Sequence, residues 1–284
     1  DRHLKLHNPQ VSELTFTNLF AWRNFYRFKS AEINGLLCII ARPCGSEPYA
    51  LMPIGSLDSE VFEDTYKELR DYFKQMGWKP VFKKIAHDEL VYFKTHVNSD
   101  EDMVYDRDNS DYLYSTMDLI HLKGKKYDGK RNHINKFKSK YDFSYVPLEC
   151  SLIDECSRIM EEWCREKNCN CQEGDYCERQ ANMELLKNFR YLECKGALLY
   201  VNGRYEAFTA GEMLNGDTAV IHIEKANTAI PGLYTVINQQ FLEKEWKDAA
   251  YVNREQDLGL EGMRKAKLSY NPLKMVDKYT VYTC

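Results

Sequence analysis

The sequence predicts a mixed α/β (α+β) protein, with mostly antiparallel sheets flanked by helices, built as two successive units. Three observations carry that expectation. Between residues 196 and 226, three apolar runs are separated by Asn202-Gly203 and Asn215-Gly216. Asn-Gly is the strongest short hairpin signal, because both residues accept positive φ. The chain beyond continues helix, strand, short helix, strand, which gives the order βββ-α-β-α-β. Ahead of it, the polar stretch "NSDEDMVYDRDNSD" (98–111) reads as a linker between a compact unit, residues 1–108, and a second, residues 109–284.

The elements follow in order. The first 15 to 30 residues read as helix, with apolar positions at Leu14, Leu19, Phe20 and Trp22. "INGLLCIIARP" and "PYALMPIG" read as strands. Asp58 is placed to cap a helix whose Val61, Phe62, Leu69, Tyr72 and Phe73 form one apolar stripe, ended by Gly77. "PVFKKIAHDELVYFKTH" reads as further strand. In the second unit come "YLYSTMDLIHL", a basic segment, the strand "YDFSYVPLE" and two helices, "SLIDECSRIMEEWCREK" and "CERQANMELLKNFRYL". The helix "LYTVINQQFLEKEW" places Val236, Ile237, Phe241 and Leu242 on one side. The strand "AAYVNRE", the helix "LEGMRKAKL" and a last strand "KYTVYT" complete it.

Composition bounds the function. With 284 residues, 44% apolar and 29% charged, the chain buries a real core, and its longest apolar run, Leu36–Ala41, is far too short to span a membrane. No secretory leader is visible, so a cytoplasmic protein is expected. Four of the 10 cysteines crowd together, Cys164, Cys169, Cys171 and Cys177. Their spacing lacks the C-x-x-C knuckle of a zinc site, so they read as free thiols and no metal is expected. The net charge of −4 conceals an uneven distribution, because residues 121–140 carry eight basic side chains against Asp128 alone. That asymmetry concerns partners more than fold.

The segment "GKKYDGKRNHINKF" almost spells a phosphate-binding loop, with Gly124, Gly129 and Lys130 in place. Arg131 stands where a magnesium-binding hydroxyl is needed, and the interior Lys125, Lys126, Tyr127 and Asp128 are too bulky to wrap phosphates. From Lys130 the residues read instead as an amphipathic helix. Ile134, Phe137 and Tyr141 face inward, while Lys130, Arg131, Asn135 and Lys138 are offered to a phosphodiester backbone. A solvated basic face and an anionic lipid surface are the competing readings.

The strand and helix order of the second unit resembles the core of the GNAT acyltransferase fold. "YLYSTMDLIHLKGKKYDGKRNHINKF" and "NREQDLGLEGMRKAKLSYNP" resemble the two signature segments of the DUF2156 family. That family is similar to the C-terminal domain of phosphatidylglycerol lysyltransferase and related to Fem-type peptidyltransferases. The resemblance implies two GNAT-like (acyl-CoA N-acyltransferase) units in tandem. It also implies transfer of an aminoacyl group from aminoacyl-tRNA to an amine or hydroxyl, on a lipid or a peptide. Acyl-CoA is the alternative donor. CoA-dependent GNAT enzymes hold its pyrophosphate in a Q/R-x-x-G-x-G/A turn, however, and here "EKANTAIPGLYT" offers only Gly232. A non-catalytic nucleic-acid or anionic-lipid binding module on the same fold is the further alternative.

For proton transfer, strand alternation in "VIHIEKAN" places His222 and Glu224 on one face, with Glu224 expected as general base and His222 second to it. Tyr270 is the candidate general acid. Arg254, Glu255 and Asp257 stand where a strand enters a helix, a usual place for ligand contacts, although Asp257 equally suits a helix cap. Gly259 and Gly262 imply a close approach there, and Lys265 adds positive charge toward the same polyanion.

Overall fold

The computed structural model describes residues 2–99, 102–167 and 177–283, so Cys169 and Cys171 lie outside the described residues. The chain forms two compact units. One comprises residues 1–111, 256–261 and 275–284, and the other residues 112–255 and 262–274. The simple division at 108 thus gives way to a chain that returns to its first unit twice.

The chain begins with α1 (Arg2–His7), α2 (Phe16–Ala21), α3 (Arg23–Tyr26), β1 (Lys29–Ile33), β2 (Leu36–Ala41), β3 (Tyr49–Ala50), α4 (Ser59–Gln75), β4 (Val81–Ala86) and β5 (Met103–Tyr105). Asp58 caps α4 as expected, its Oδ1 accepting from Val61 N at 2.9 Å. Phe62, Leu69 and Phe73 are buried with Tyr66, whereas Val61 and Tyr72 lie at the margin of the stripe. The strand expected over 80–96 ends at Ala86. There Glu89 Oε2 turns back to accept from the Ala86 N–H at 2.8 Å, starting a 3₁₀ helix, His87–Phe93. The stretch 98–111 is no linker. It contains β5, and it ends on the buried Asp111, whose carboxylate accepts from Ser12 N at 2.9 Å and Ser12 Oγ at 3.1 Å.

Next come β6 (Asp111–Ser115), α5 (Thr116–His121), α6 (Asp128–Lys140), β7 (Phe143–Pro147), α7 (Ile153–Lys167), α8 (Glu178–Asn188), β8 (Lys195–Val201), β9 (Arg204–Met213) and β10 (Thr218–Ala226). Then follow α9 (Leu233–Glu245), β11 (Tyr251–Asn253), α10 (Glu261–Leu268), β12 (Lys274–Val276) and β13 (Lys278–Tyr282). A seven-stranded sheet runs in the order β12-β6-β11-β10-β9-β8-β7, with β10 and β11 parallel. The first Asn-Gly turn behaves as expected, with φ +47° at Asn202 and +94° at Gly203. The second is looser. Asn215 Oδ1 accepts from Asp217 N and Thr218 N, at 3.2 and 3.0 Å, in place of a two-residue turn. Ile134 and Phe137 of α6 pack with Val236 and Ile237 of α9 over Leu199 and Val201 of β8.

The last strand departs from expectation. β13 does not complete the second unit. It inserts antiparallel between β4 and β5 of a six-stranded sheet, β1-β2-β3-β4-β13-β5, in the first. Beside β11 its place is taken by β6. An alternating pattern announces a strand but not its partner. Here the buried Lys278 decides the matter, because its ammonium meets the Asp111 carboxylate at 2.6 Å and also that of Glu13. Among the described residues, no helix is long and apolar enough to cross a membrane.

Candidate active site

The site is built around β10. Ile221 pairs with Gly211 and Ile223 with Ala210, so His222 is an extra residue, a β-bulge. Gly211 makes the bulge possible, since a Cβ there would stand 2.3 Å from the Val220 carbonyl oxygen. The bulge breaks the alternation that placed His222 beside Glu224. Glu224 pairs with Thr209 of β9, whereas His222 turns to Glu212, three residues further along that strand and therefore on its opposite face.

His222 is held at both ring nitrogens, Nε2 at 2.9 Å from Glu212 and Nδ1 at 2.8 Å from Glu255, with its side chain only 5% exposed. Burial pulls the imidazole pKa down, but the two carboxylates outweigh it and raise it to about 10. At neutral pH both nitrogens donate, and no lone pair remains to accept a proton. His222 is a strut and not a base. Because the group titrates near 6.5 when unfolded, its stabilisation is complete below that pH and is lost as pH rises toward 10. Thermal melts should show the native protein losing on the order of 3 kcal/mol between pH 6.5 and 10, and His222→Asn losing far less. Parallel slopes in the two proteins would refute the strut.

Glu224 is fixed from two sides. Its Oε1 accepts from Arg254 Nη2 and its Oε2 from Asn238 Nδ2, both at 2.9 Å. Arg254 leaves β11 just before Glu255, whose φ is +53°. That uncommon backbone is held by Asn253 Oδ1, which accepts from Glu255 N at 2.7 Å, and by Lys267 Nζ, which donates to both carbonyls of 254 and 255. The guanidinium lies 4.7 Å from the centre of the Tyr270 ring, and its buried Nη1 has no hydrogen-bond partner.

Lys130 reaches the same cluster from α6. Its Nζ donates to Ser269 Oγ at 2.7 Å and stands 3.6 Å above the Tyr270 ring centre. Burial and the neighbouring Arg254 lower its pKa to about 8, with Glu224 opposing. Tyr270 is buried, and its hydroxyl pKa is raised by burial despite Arg254, so it keeps its proton. One carboxylate, one guanidinium and one half-buried ammonium thus converge on a ring, an arrangement suited to an anion or a developing oxyanion.

The remaining predicted site residues disperse. Arg131 donates to the Leu122 and Gly124 carbonyls and to Asp128, pinning the turn before α6. Asn135, Lys138 and Lys265 are exposed. The carboxylate of Glu255 is taken up by His222. The fully buried Asp257 pairs with Arg107 at 3.1 Å and caps the Gly259 N–H at 2.9 Å, within the first unit. The close approach at Gly259 is made by Asp108, whose carboxylate would stand 2.8 Å from an added Cβ, while Gly262 faces open space. Asn238 and Ser269 were not anticipated. Asn238 did carry a signal, as an amide inside the apolar face of α9. Gly232 has φ +90°, and an added Cβ would lie 2.6 Å from the His133 carbonyl, so its bareness serves the packing of α6 on α9.

A family profile described as phosphatidylglycerol lysyltransferase, C-terminal, matches residues 4–282. The chain belongs to that family. As a member of that family it has a GNAT-like acyltransferase fold, and the match extends over residues 4–282. A conserved protein of unknown function from Bacteroides thetaiotaomicron is 34% identical, covering 100% of this chain and 96% of its own, with a TM-score of 0.89. The L-PGS structure from Bacillus licheniformis is 17% identical over 90% of this chain and 84% of its own, TM-score 0.63. FemX shares the fold at 7% identity over 99% of this chain and 92% of its own, TM-score 0.59. An uncharacterized protein of Mycoplasmoides gallisepticum is 24% identical over 61% of this chain, which spans 56% of that relative's length.

Proposed function

We propose that this domain transfers an aminoacyl group from aminoacyl-tRNA to an amine or hydroxyl acceptor on a lipid or peptide. The observation that carries the reading is the cluster of Glu224, Arg254, Lys130 and Tyr270, in which a buried guanidinium nitrogen is left without a partner. The acceptor nitrogen or oxygen attacks the ester carbonyl carbon, and its proton passes to Glu224, which keeps free lone pairs beside those engaged by Arg254 and Asn238. Arg254 Nη1 donates to the oxyanion. When the carbonyl re-forms, the ribose oxygen leaves with a proton from Lys130. An ester is already activated, so positioning, one acceptor and one donor suffice. The use of Gly232 in helix packing supports a donor that needs no pyrophosphate turn.

The test is transfer of a radiolabelled aminoacyl group from charged tRNA to phosphatidylglycerol vesicles or to a peptide with a free amino terminus. Glu224→Gln and Lys130→Met should each lower the rate by about 10²-fold or more. Because Lys130 donates only while protonated, the native rate should fall as pH rises through about 8. The low residual rate of Lys130→Met should lack that limb. No transfer from any charged tRNA, together with a thermal shift on adding acetyl-CoA, would overturn the reading.

A further inference from the structure

Ser269, which the transfer chemistry leaves unused, stands at the end of α10. That helix closes at Leu268, Ser269 N still donates to the Lys265 carbonyl at 3.1 Å, and Asn271 turns the chain away at φ +53°. Ser269 is exposed there. Its Oγ donates to the Ala266 carbonyl at 2.6 Å and accepts from Lys130 Nζ at 2.7 Å. A hydroxyl and an amine at that separation are within reach of proton transfer.

Whether a lysine can take such a proton depends on its charge. Ser12 Oγ also lies near an ammonium, 3.5 Å from Lys278 Nζ, but Asp111 and Glu13 hold that group protonated in the core. Lys130 differs. Arg254 from the end of β11, Glu224 from β10 and Tyr270 after α10 are the charged and titratable groups that face it. Burial and Arg254 outweigh Glu224 and bring the ammonium pKa down to about 8, so slightly alkaline solution leaves a neutral amine with a free lone pair. The hydroxyl then turns from the Ala266 carbonyl to Nζ by one rotation about its Cβ–Oγ bond.

We propose that Ser269 and Lys130 form a nucleophile–base pair that hydrolyses small activated esters. Serine–lysine pairs recur among hydrolases and need no histidine. Ser269 Oγ bonds to the ester carbonyl carbon as its proton passes to Lys130 Nζ. The carbonyl re-forms as the alcohol oxygen leaves with that proton, and the acyl group stays on Oγ (a phenolate leaves without it, and the ammonium gives its proton to solvent). Water then attacks the same carbon and gives a proton to Lys130. Oγ departs with that proton, which releases the carboxylic acid and restores the neutral amine. In both tetrahedral stages the oxyanion faces the new ammonium and the field of Arg254. The pair shares a site with the proposed transfer without resting on that reading, because Lys130 works there protonated and here neutral. The two activities should respond to pH in opposite senses.

Hydrolysis of p-nitrophenyl acetate by the full chain, corrected for buffer, tests this, with the acylated residue mapped by mass spectrometry of acid-quenched protein. Turnover is expected to rise as pH increases through about 8, with the acetyl group on Ser269. Ser269→Ala and Lys130→Met should each lower the rate about tenfold or more at unchanged melting temperature. Should either variant fail to fold, the map on the native protein still decides. No hydrolysis above buffer, acetyl found only on Lys130 or on cysteine, or a native rate in Ser269→Ala would each overturn the proposal. None of these outcomes bears on transfer from charged tRNA, which is read separately.

Discussion

Arg254→Met is expected to abolish transfer and to destabilise the domain together. Arg254 and Glu224 are 11% and 12% exposed, so removing the guanidinium strands a carboxylate in a site that water barely reaches. Breaking a buried pair from one side costs about 3–5 kcal/mol, because the remaining charge keeps its desolvation penalty and loses its partner. The loss of Nη1 also removes the proposed oxyanion donor, which by itself lowers a rate by about 10²–10³-fold. The two effects separate in a second variant. Arg254→Met with Glu224→Leu removes both charges and should regain most of the stability in chemical denaturation, since a well-packed apolar pair often equals a buried ion pair. It should regain none of the activity. Recovery of transfer in the double variant would show that neither group takes part in the chemistry.

Why the cluster was only partly legible follows from where its members lie. Glu224 and Arg254 were open to sequence reasoning because each lies near the end of a recognisable strand. Lys130 and Tyr270 are 140 residues apart, and nothing local to either indicates that one ammonium of a basic helix will lie over one particular ring. The eight cations of 121–140 looked equivalent in sequence, yet burial sorts them. Lys130 turns into the cluster, Arg131 closes a turn, and Lys138 and the other lysines remain in solvent. His222 failed for a different reason. Period-two alternation holds only while the register is regular, and the bulge depends on a bare Cα at Gly211 in the neighbouring strand. The hairpins, α4 and α9 were legible because turn chemistry, capping and apolar spacing agree within a single segment.

The destination of β13 was the largest thing the sequence concealed, and it supplies the second large expectation. Lys278→Met should lower the stability of the first unit by about 3–5 kcal/mol, seen in calorimetry as a fall on the order of 10 °C. In the native protein the Lys278 side chain is 0% exposed, as is that of Asp111, and the ammonium also binds Glu13. Burial pushes the Glu13 carboxyl pKa up, but Lys278 and Lys84 outweigh it and hold it below the usual 4.5. Its contribution is therefore present above pH 4.5 and disappears as pH falls through the depressed value. Without Lys278, Glu13 keeps only Lys84 against the burial that pushes its carboxyl up, so the folded variant holds that proton more tightly than the native protein does and acid costs the variant less. The deficit of Lys278→Met relative to native should accordingly shrink as pH is lowered from 7 toward 4.5. Asp111→Asn added to Lys278→Met should reduce the deficit at pH 7 in the same way. If the deficit instead stays constant across that range, the lysine anchors β13 by packing alone and its charge is irrelevant to the strand's choice of sheet.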